Sequence, residues 1–230
     1  VEALQLFDRS IELDPYFIDG YLFKAQTLLA LNRYEEAIRI YEKTIELKPD
    51  NIEALFGKGN CLSHLSRHDE ALVMYDKVIE IIPNHFEALW RKTQTLVQIG
   101  RFQEAISCAN KVLEIDHNDF VTIFNKALSL GKVHNHNEAI IYFDKALSIN
   151  PHHLDSLSGK AFSLGQRQKY DEALSYFDRA LTIDPNHFDS LFNKGITLAQ
   201  LNRHEEAILY FDKAILKNNR HAEVFYHKGL

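Results

Sequence analysis

Apolar and polar residues follow a helical period along the whole chain, in two kinds of segment that alternate. In one kind, apolar residues recur at i, i+4 and i+7, as at Tyr21, Ala25 and Leu28. In the other, a pair of acids precedes an apolar stripe, as Glu36 precedes Ala37 and Tyr41. Such spacing predicts amphipathic helices, and acids suit a helix start because they complement the helix dipole. Helices of about 13 residues are marginal alone, so the pattern predicts helices that stack on their neighbours.

One short motif recurs along the chain at a fixed interval. The tripeptide Glu-Ala-Leu or Glu-Ala-Ile returns every 34 residues without an insertion, beginning at Glu2, Glu36, Glu70, Glu104, Glu138, Glu172 and Glu206. The five prolines keep the same spacing and stand at Pro15, Pro49, Pro83, Pro151 and Pro185. Residues that follow them, such as Asn51 and His85, supply turn and N-cap chemistry for the next helix. One repeat is therefore two helices and two turns.

Three positions of the repeat have side chains of fixed size, when each repeat is numbered so that Ile18 is position 1. Position 8 is small, and holds Ala25, Gly59, Thr93, Ala127, Ala161, Gly195 and Gly229. Position 20 is always alanine. Position 24 is aromatic at Phe7, Tyr41, Tyr75, Phe143, Phe177 and Phe211, and it is Ala109 in the third repeat. Small residues opposite rings indicate helices that approach closely.

This set of positions and this period resemble the tetratricopeptide repeat. The resemblance implies an all-α, right-handed superhelical α-solenoid of 34-residue helix-turn-helix repeats. We expect residues 1–230 to be one fragment of such an array. Its parts are the second helix of a preceding repeat (1–17), six full repeats (18–51, 52–85, 86–119, 120–153, 154–187 and 188–221) and the start of a further repeat (222–230). Solenoid ends need polar caps, and neither end has one, so we expect a longer array and self-association through Leu4, Phe7 and Ile11.

The chain departs from the family pattern at position 7 and in the third repeat. Position 7 holds lysine in every repeat, at Lys24, Lys58, Lys92, Lys126, Lys160, Lys194 and Lys228. These lysines either form a cationic row for an acidic ligand or pack their stems between repeats and pair with an acid such as Asp76, Asp144, Asp178 or Asp212. We favour the packing role, because strict repetition is typical of it. In the third repeat, Thr93 is larger than its counterparts and Ala109 is smaller, which indicates a trade of volume.

Composition excludes several classes of partner. The net charge is −6 with scattered Lys and Arg, so the basic stripe that binds nucleic acid is missing. No stretch is long and apolar enough for a membrane span. The two cysteines, Cys61 and Cys108, lie in apolar segments and are expected to be buried free thiols, which fits a cytoplasmic, reducing setting.

The sequence carries no recognisable catalytic or metal-binding motif. Phosphate-binding loops, zinc-protease motifs and nucleophile elbows do not occur. The histidines at positions 17 and 34 are interpreted as surface turn residues, because equivalent residues of stacked repeats lie about 10 Å apart and cannot share one zinc ion. They are His68, His136 and His204, and His85, His153, His187 and His221. We therefore predict no enzyme activity, no metal and no cofactor.

In the family that the chain resembles, the first helices line a concave groove that binds peptides. The resemblance places the groove at Asp19, Leu22, Glu53, Phe56, Asn60, Glu87, Trp90, Arg91, Gln94, Phe124, Asn125, Asp155, Phe162, Asp189, Phe192 and Asn193. Aromatic residues at position 5 beside acids at position 2 predict a partner segment with apolar and basic side chains. Trp90, the single tryptophan, is the expected anchor. Repeats that bind the acidic C-termini of chaperones need lysine at position 5, which no repeat has here.

The sequence therefore predicts a protein-interaction scaffold that binds peptide segments of partner proteins. One alternative is a targeting or substrate-recruiting module of a larger enzyme, such as a protein glycosyltransferase. A catalytic domain after Leu230 would support that alternative. Pentatricopeptide-type RNA binding is a second alternative, and the 34-residue period and acidic balance count against it.

Overall fold

The computed structural model describes residues 2–217 and 222–229, in which the chain forms fourteen α-helices and no strand. The helices are α1 (Glu2–Leu13), α2 (Ile18–Ala30), α3 (Tyr34–Leu47), α4 (Ile52–His64), α5 (His68–Ile81), α6 (Phe86–Gln98), α7 (Phe102–Ile115), α8 (Phe120–Lys132), α9 (His136–Ile149), α10 (Leu154–Gln166), α11 (Tyr170–Ile183), α12 (Phe188–Gln200), α13 (His204–Lys217) and α14 (Ala222–Gly229). The predicted all-α class is confirmed. The end of the predicted repeat 188–221, including His221, lies outside the described residues.

The helices form two compact units, Val1–His117 (unit 1) and Asn118–Leu230 (unit 2). Consecutive helices pair in each: α2 with α3, α4 with α5 and α6 with α7 in unit 1, and α8 with α9, α10 with α11 and α12 with α13 in unit 2. We call the members of a pair the first and the second helix. Neighbouring first helices also touch, α2 with α4 in unit 1 and α10 with both α8 and α12 in unit 2. Unit 2 therefore has three first helices side by side.

Five of the six helix pairs close around one buried ring, the exception being α6–α7. In the α4–α5 pair, a methyl group added to Gly59 would lie 2.7 Å from the ring of Tyr75. The α12–α13 pair repeats this at Gly195, where the same group would lie 2.6 Å from Phe211. Both rings are fully buried. Close approach of the helices thus explains the small residue predicted at position 8.

The α6–α7 pair fills this space differently. Thr93 and Ala109 are both fully buried, as a trade of volume between the two positions requires. The Thr93 hydroxyl donates a hydrogen bond to the Leu89 carbonyl at 2.9 Å, and the Cys108 thiol contacts the same oxygen at 3.3 Å. A threonine can be buried here because its hydroxyl is satisfied within its own helix.

The position 7 lysines join consecutive repeats. Six of them pair with the acid sixteen residues earlier: Lys24 with Asp8, Lys58 with Glu42, Lys92 with Asp76, Lys160 with Asp144, Lys194 with Asp178, and Lys228 with Asp212. The predicted packing role is confirmed, and the cationic row for an acidic ligand is wrong, because these ammonium groups are neutralised. Lys126 has Asn110 sixteen residues before it, and its ammonium contacts the Tyr142 hydroxyl at 2.5 Å and the ring of Tyr142.

Lys160 shows how a buried lysine stays charged. Burial lowers its pKa, but hydrogen bonds to Asp144 at 2.5 Å and to the Tyr176 hydroxyl at 2.6 Å outweigh that effect, and the pKa is raised. The ammonium also lies 4.0 Å from the centroid of the Tyr176 ring. The stem therefore packs between helices while the charge keeps its partners.

The start of several first helices depends on the residue before it. The side chain of Asn51 accepts a hydrogen bond from the Ala54 amide at 2.8 Å, and Nδ1 of His85 accepts from the Ala88 amide at 3.3 Å. These are N-cap contacts of the predicted kind. They fix where these first helices begin.

Candidate peptide-binding surfaces

The three first helices of unit 2 form an open groove with a volume of about 560 Å³. We call it the unit 2 groove and define it by Phe124 and Leu128 of α8, Ser158 and Phe162 of α10, and Phe192 and Asn193 of α12, with the acids Asp155, Asp189 and Glu223 at its edge. Six residues predicted from the sequence line it: Phe124, Asp155, Phe162, Asp189, Phe192 and Asn193. Asn125, the seventh prediction in unit 2, is half-buried and does not line it.

The floor and the wall of the unit 2 groove differ in exposure. Phe192 is only 8% exposed and packs against the ring of Phe211, with 6.1 Å between centroids, so it forms the floor. Phe162 is 39% exposed and projects from α10. Phe124 is half-buried and lies edge-on to the His153 ring at 4.8 Å. A ring that enters the groove would therefore meet Phe162 first.

The groove is more acidic than basic. Three exposed acids line it, Asp155, Asp189 and Glu223, together with one lysine, Lys132. His187 also lines it, with Nε2 3.7 Å from an Asp155 oxygen and Nδ1 2.8 Å from the Ser190 hydroxyl. The site thus combines aromatic surface with an excess of carboxylates.

Sequence reasoning missed His187 and Phe188 as groove residues. His187 was assigned to a surface turn, yet its place directly before α12 puts its ring beside Asp155. The N-cap position was the signal that could have identified it. Phe188 lies one residue further on and lines the groove as well.

The residues predicted in unit 1 divide into four groups. Asn60, Arg91 and Gln94 line a second pocket, of about 430 Å³. Asp19, Glu53 and Glu87 are exposed, whereas Phe56 and Trp90 are half-buried and pack against core clusters of the unit. Leu22 is buried within the core, where no partner segment reaches it, because α2 and α4 pack closely.

One histidine that was predicted on the surface is buried. His136 is 8% exposed, its ring centroid lies 6.0 Å from that of Phe162, and its Nδ1 has no hydrogen-bond partner in the described structure. Burial lowers its pKa, and the neighbouring His134 and Arg167 lower it further. His136 begins α9 beneath the ring from the next repeat, and this contact buries it.

Neither a metal site nor a membrane span is found in the described ranges. No group of three or more His, Cys, Asp and Glu side chains could hold a metal ion among residues 2–217 and 222–229. Over the same ranges, every helix is too short or too polar to cross a membrane. Cys61 and Cys108 are buried free thiols, and burial raises the pKa of Cys61 to about 12.

Four family models match the sequence, and each is described as tetratricopeptide repeat. They match residues 24–85, 62–121, 121–153 and 153–215, and together run without a gap from 24 to 215. The chain belongs to the tetratricopeptide-repeat family. None of the four models describes a catalytic domain. No curated protein is significantly similar to it in sequence.

Several solved tetratricopeptide-repeat structures have the same fold. MamA from Desulfovibrio magneticus RS-1 is 21% identical with a TM-score of 0.69, over 74% of this chain and 96% of that chain. A tetratricopeptide repeat protein from Parabacteroides merdae is 17% identical with a TM-score of 0.63, over 98% and 90%. YrrB, described as a TPR protein with an unusual peptide-binding site, is 23% identical with a TM-score of 0.50, over 97% and 98%. At these identities the likeness is one of fold.

Family membership accounts for the buried side chains of the first helices, but it does not account for the residues that line the unit 2 groove. Ala161 and Leu164 of α10 are buried in the repeat core. Phe162 lies between them in sequence and remains exposed. The core packing that the repeats share therefore does not explain why Phe162 is exposed.

Proposed function

We propose that this chain is a protein-interaction scaffold that binds extended segments of partner proteins in the unit 2 groove. The observation that carries the proposal is Phe162, a large ring that is 39% exposed in a groove floored by Phe192. Exposed aromatic surface in a concave site is a favoured place for an anchor side chain, because it offers contact area with few rotors to freeze. Membership of the tetratricopeptide-repeat family supports the same function.

The charge of the groove defines the partner further. Asp155, Asp189 and Glu223 surround apolar surface and outnumber Lys132. A segment with lysine or arginine next to an aromatic or aliphatic residue would place its ring on Phe162 and its cation near these acids. The acids are exposed, so their attraction would weaken with added salt. We include in the proposal a reducing, intracellular setting, which the two buried thiols favour.

Selection from a random peptide display library tests this function without knowledge of the natural partner. The unaltered chain should enrich segments that combine Lys or Arg with an adjacent aromatic or aliphatic residue. The double variant Asp155→Asn, Asp189→Asn should keep the apolar preference and lose the basic one. Control selections would use Asp171→Asn, Glu205→Gln, which changes two exposed acids at the starts of the second helices α11 and α13.

The selection contradicts the proposal in either of two ways. The first is the absence of any common motif among the peptides retained by the unaltered chain. The second is an identical basic preference in the double variant, because the carboxylates of the groove would then not be its source.

A further inference from the structure

Unit 1 carries a second pocket, of about 430 Å³, between α4, α5 and α6. Its character is polar, and the groups that define it are Asn60, Ser63, His68, Arg91, Gln94 and Gln98. In contrast to the unit 2 groove, no aspartate or glutamate is among the residues that line it. We call it the Arg91 pocket.

Arg91 brings a charge to this pocket that the protein does not neutralise. Four other arginines, Arg33, Arg67, Arg101 and Arg203, each bind the glutamate three residues later through two hydrogen bonds of 2.7 Å. Arg91 makes no ion pair within residues 2–217 and 222–229. The nearest acid in its helix, Glu87, lies 3.4 Å from Nδ1 of His85 instead. The guanidinium carbon of Arg91 lies 5.1 Å from the ring centroid of Trp90, which helps to hold it in place.

The neighbours of Arg91 offer hydrogen-bond donors. The Asn60 carbonyl oxygen accepts a hydrogen bond from the Tyr75 hydroxyl at 3.0 Å, so its amide NH₂ remains to donate. Gln94 and Gln98 line the pocket with further amides. Nδ1 of His68 is buried and has no hydrogen-bond partner in the described part of the chain. Together with Arg91, these polar side chains line one pocket.

A singly charged, planar oxyanion matches these features. The guanidinium fork binds carboxylates through two parallel hydrogen bonds, and these charge-assisted bonds are about twice as strong as neutral ones. One cation balances one carboxylate, and the amides supply donors for its remaining lone pairs. The lysine at position 5 on which the binding of chaperone C-termini depends has no counterpart in this pocket.

We propose that the Arg91 pocket binds the carboxylate of an aspartate or glutamate side chain in a protein segment. The two units then have opposite charge preferences, unit 1 for an acid and unit 2 for a base next to an apolar residue. This inference shares with the proposed function only the premise that first helices receive protein segments. It does not require any occupant in the unit 2 groove.

Trp90 permits a direct test, because a single tryptophan gives one indole N–H signal in a ¹H–¹⁵N spectrum. The probe is the peptide acetyl-Ala-Ala-Glu-Ala-Ala-amide, whose one charge is a side-chain carboxylate, titrated at constant ionic strength. We expect a saturable shift of the indole signal, and no saturable shift with glutamine in place of glutamate. Arg91→Gln should raise the dissociation constant about tenfold or more, and Arg91→Lys should raise it less because the charge remains without the fork.

Matched variants and a second peptide make the result decisive. Arg39→Gln removes an exposed arginine of α3 and should leave the dissociation constant unchanged, as should Ile141→Ala in unit 2. Each variant is compared only after its helical circular dichroism and melting temperature show that it is folded. Equal binding of the glutamate and glutamine peptides, or unchanged binding by Arg91→Gln, would overturn the proposal. Stronger binding of acetyl-pentaalanine with a free C-terminus would overturn the assignment to a side chain.

Discussion

At the scale of single residues, the turn inside each repeat has one residue with positive φ. Five of these are not glycine: Asn32, Ser66, His134, Gln168 and Asn202, with φ from 58° to 62°. The third repeat has Gly100 there, with φ of 76°. The left-handed conformation places Cβ close to the following carbonyl, so a residue such as glutamine is strained at this position.

Gln168→Gly should stabilise the chain. The substitution removes the steric cost at φ of 60°, and we expect a gain of about 1 kcal/mol, reduced by the greater freedom of glycine in the unfolded chain. The urea midpoint of the circular dichroism signal measures it. Gly100→Ala, the reverse change at φ of 76°, should lower the midpoint. A lower midpoint for Gln168→Gly would show that the left-handed turn is not strained.

His136 should make the chain sensitive to acid below neutral pH. Its pKa in the folded chain lies below the ordinary value of 6.5, because burial, with His134 and Arg167 nearby, disfavours the imidazolium. The unfolded chain therefore takes up this proton first as the pH falls. The stability that neutral His136 contributes is complete above about 6.5 and is lost as the pH falls toward the lowered value.

Melting temperatures at pH 7.5 and 5.5 check this expectation. The decrease between the two should be smaller in His136→Gln than in the unaltered chain. His152→Gln, which removes an exposed histidine of the same unit, should show the full decrease. An equal decrease in all three proteins would mean that the pKa of His136 is the same in the folded and the unfolded chain.

At the scale of helix pairs, the ring at position 24 and the small residue at position 8 share one space. The α6–α7 pair has Ala109 where other pairs have a ring, and Thr93 where they have alanine or glycine. Ala109→Phe alone should therefore overpack the pair and cost about 1–3 kcal/mol. Thr93→Ala alone should leave a small void and remove a hydrogen bond.

The double variant Thr93→Ala, Ala109→Phe should recover most of that loss, because it restores the combination of Ala161 and Phe177 in the α10–α11 pair. Urea midpoints of the four proteins form a double-mutant cycle, and we expect a favourable coupling energy of about 1 kcal/mol or more. Ala25→Gly, a change at position 8 of another pair, tests whether the coupling is local. Additive effects of Thr93→Ala and Ala109→Phe would contradict the shared space.

The sequence alone predicts the helices well because both helix types depend on local periodicity. It also predicts the lysine–acid pairs, since a strict repeat places an acid sixteen residues before every position 7 lysine except Lys126. Exposure at the site is harder to predict. Leu22 and Phe192 hold the same repeat position as Trp90, yet both are buried, because neighbouring helices cover them to different extents. The lack of an ion pair at Arg91 depends on the direction of the Glu87 side chain, which lies beside His85, and no sequence pattern encodes that direction.

At the scale of the whole molecule, apolar side chains are exposed on the first and last helices. Leu6 and Leu13 of α1 are 67% and 72% exposed, and Phe225 and Tyr226 of α14 are 50% and 65% exposed. Leu4 was predicted to be uncovered and is buried at 8%, because it joins the core cluster with Leu22 and Leu28. The surface that remains on α1 is therefore the opposite side of the helix.

We expect the 230-residue chain to self-associate as its concentration rises, because exposed apolar stripes favour contact between copies. The double variant Leu6→Gln, Leu13→Gln should weaken this association, whereas Val73→Gln on α5, which changes another exposed apolar residue, should not. Sedimentation velocity over a wide range of concentrations measures it. A monomer at every concentration would show that α1 and α14 do not mediate association.

Partner segments should bind the first helices of unit 2 at Phe162, and isothermal titration calorimetry with a peptide from the selection measures that binding. Phe162→Ala should raise the dissociation constant about 30-fold, as expected for loss of an anchor worth about 2 kcal/mol. Ile141→Ala on the second helix α9, where the side chain is 54% exposed, should leave it unchanged. Binding at Phe162 would be contradicted if the folded Phe162→Ala protein bound the peptide as tightly as the unaltered chain, or if Ile141→Ala weakened binding more.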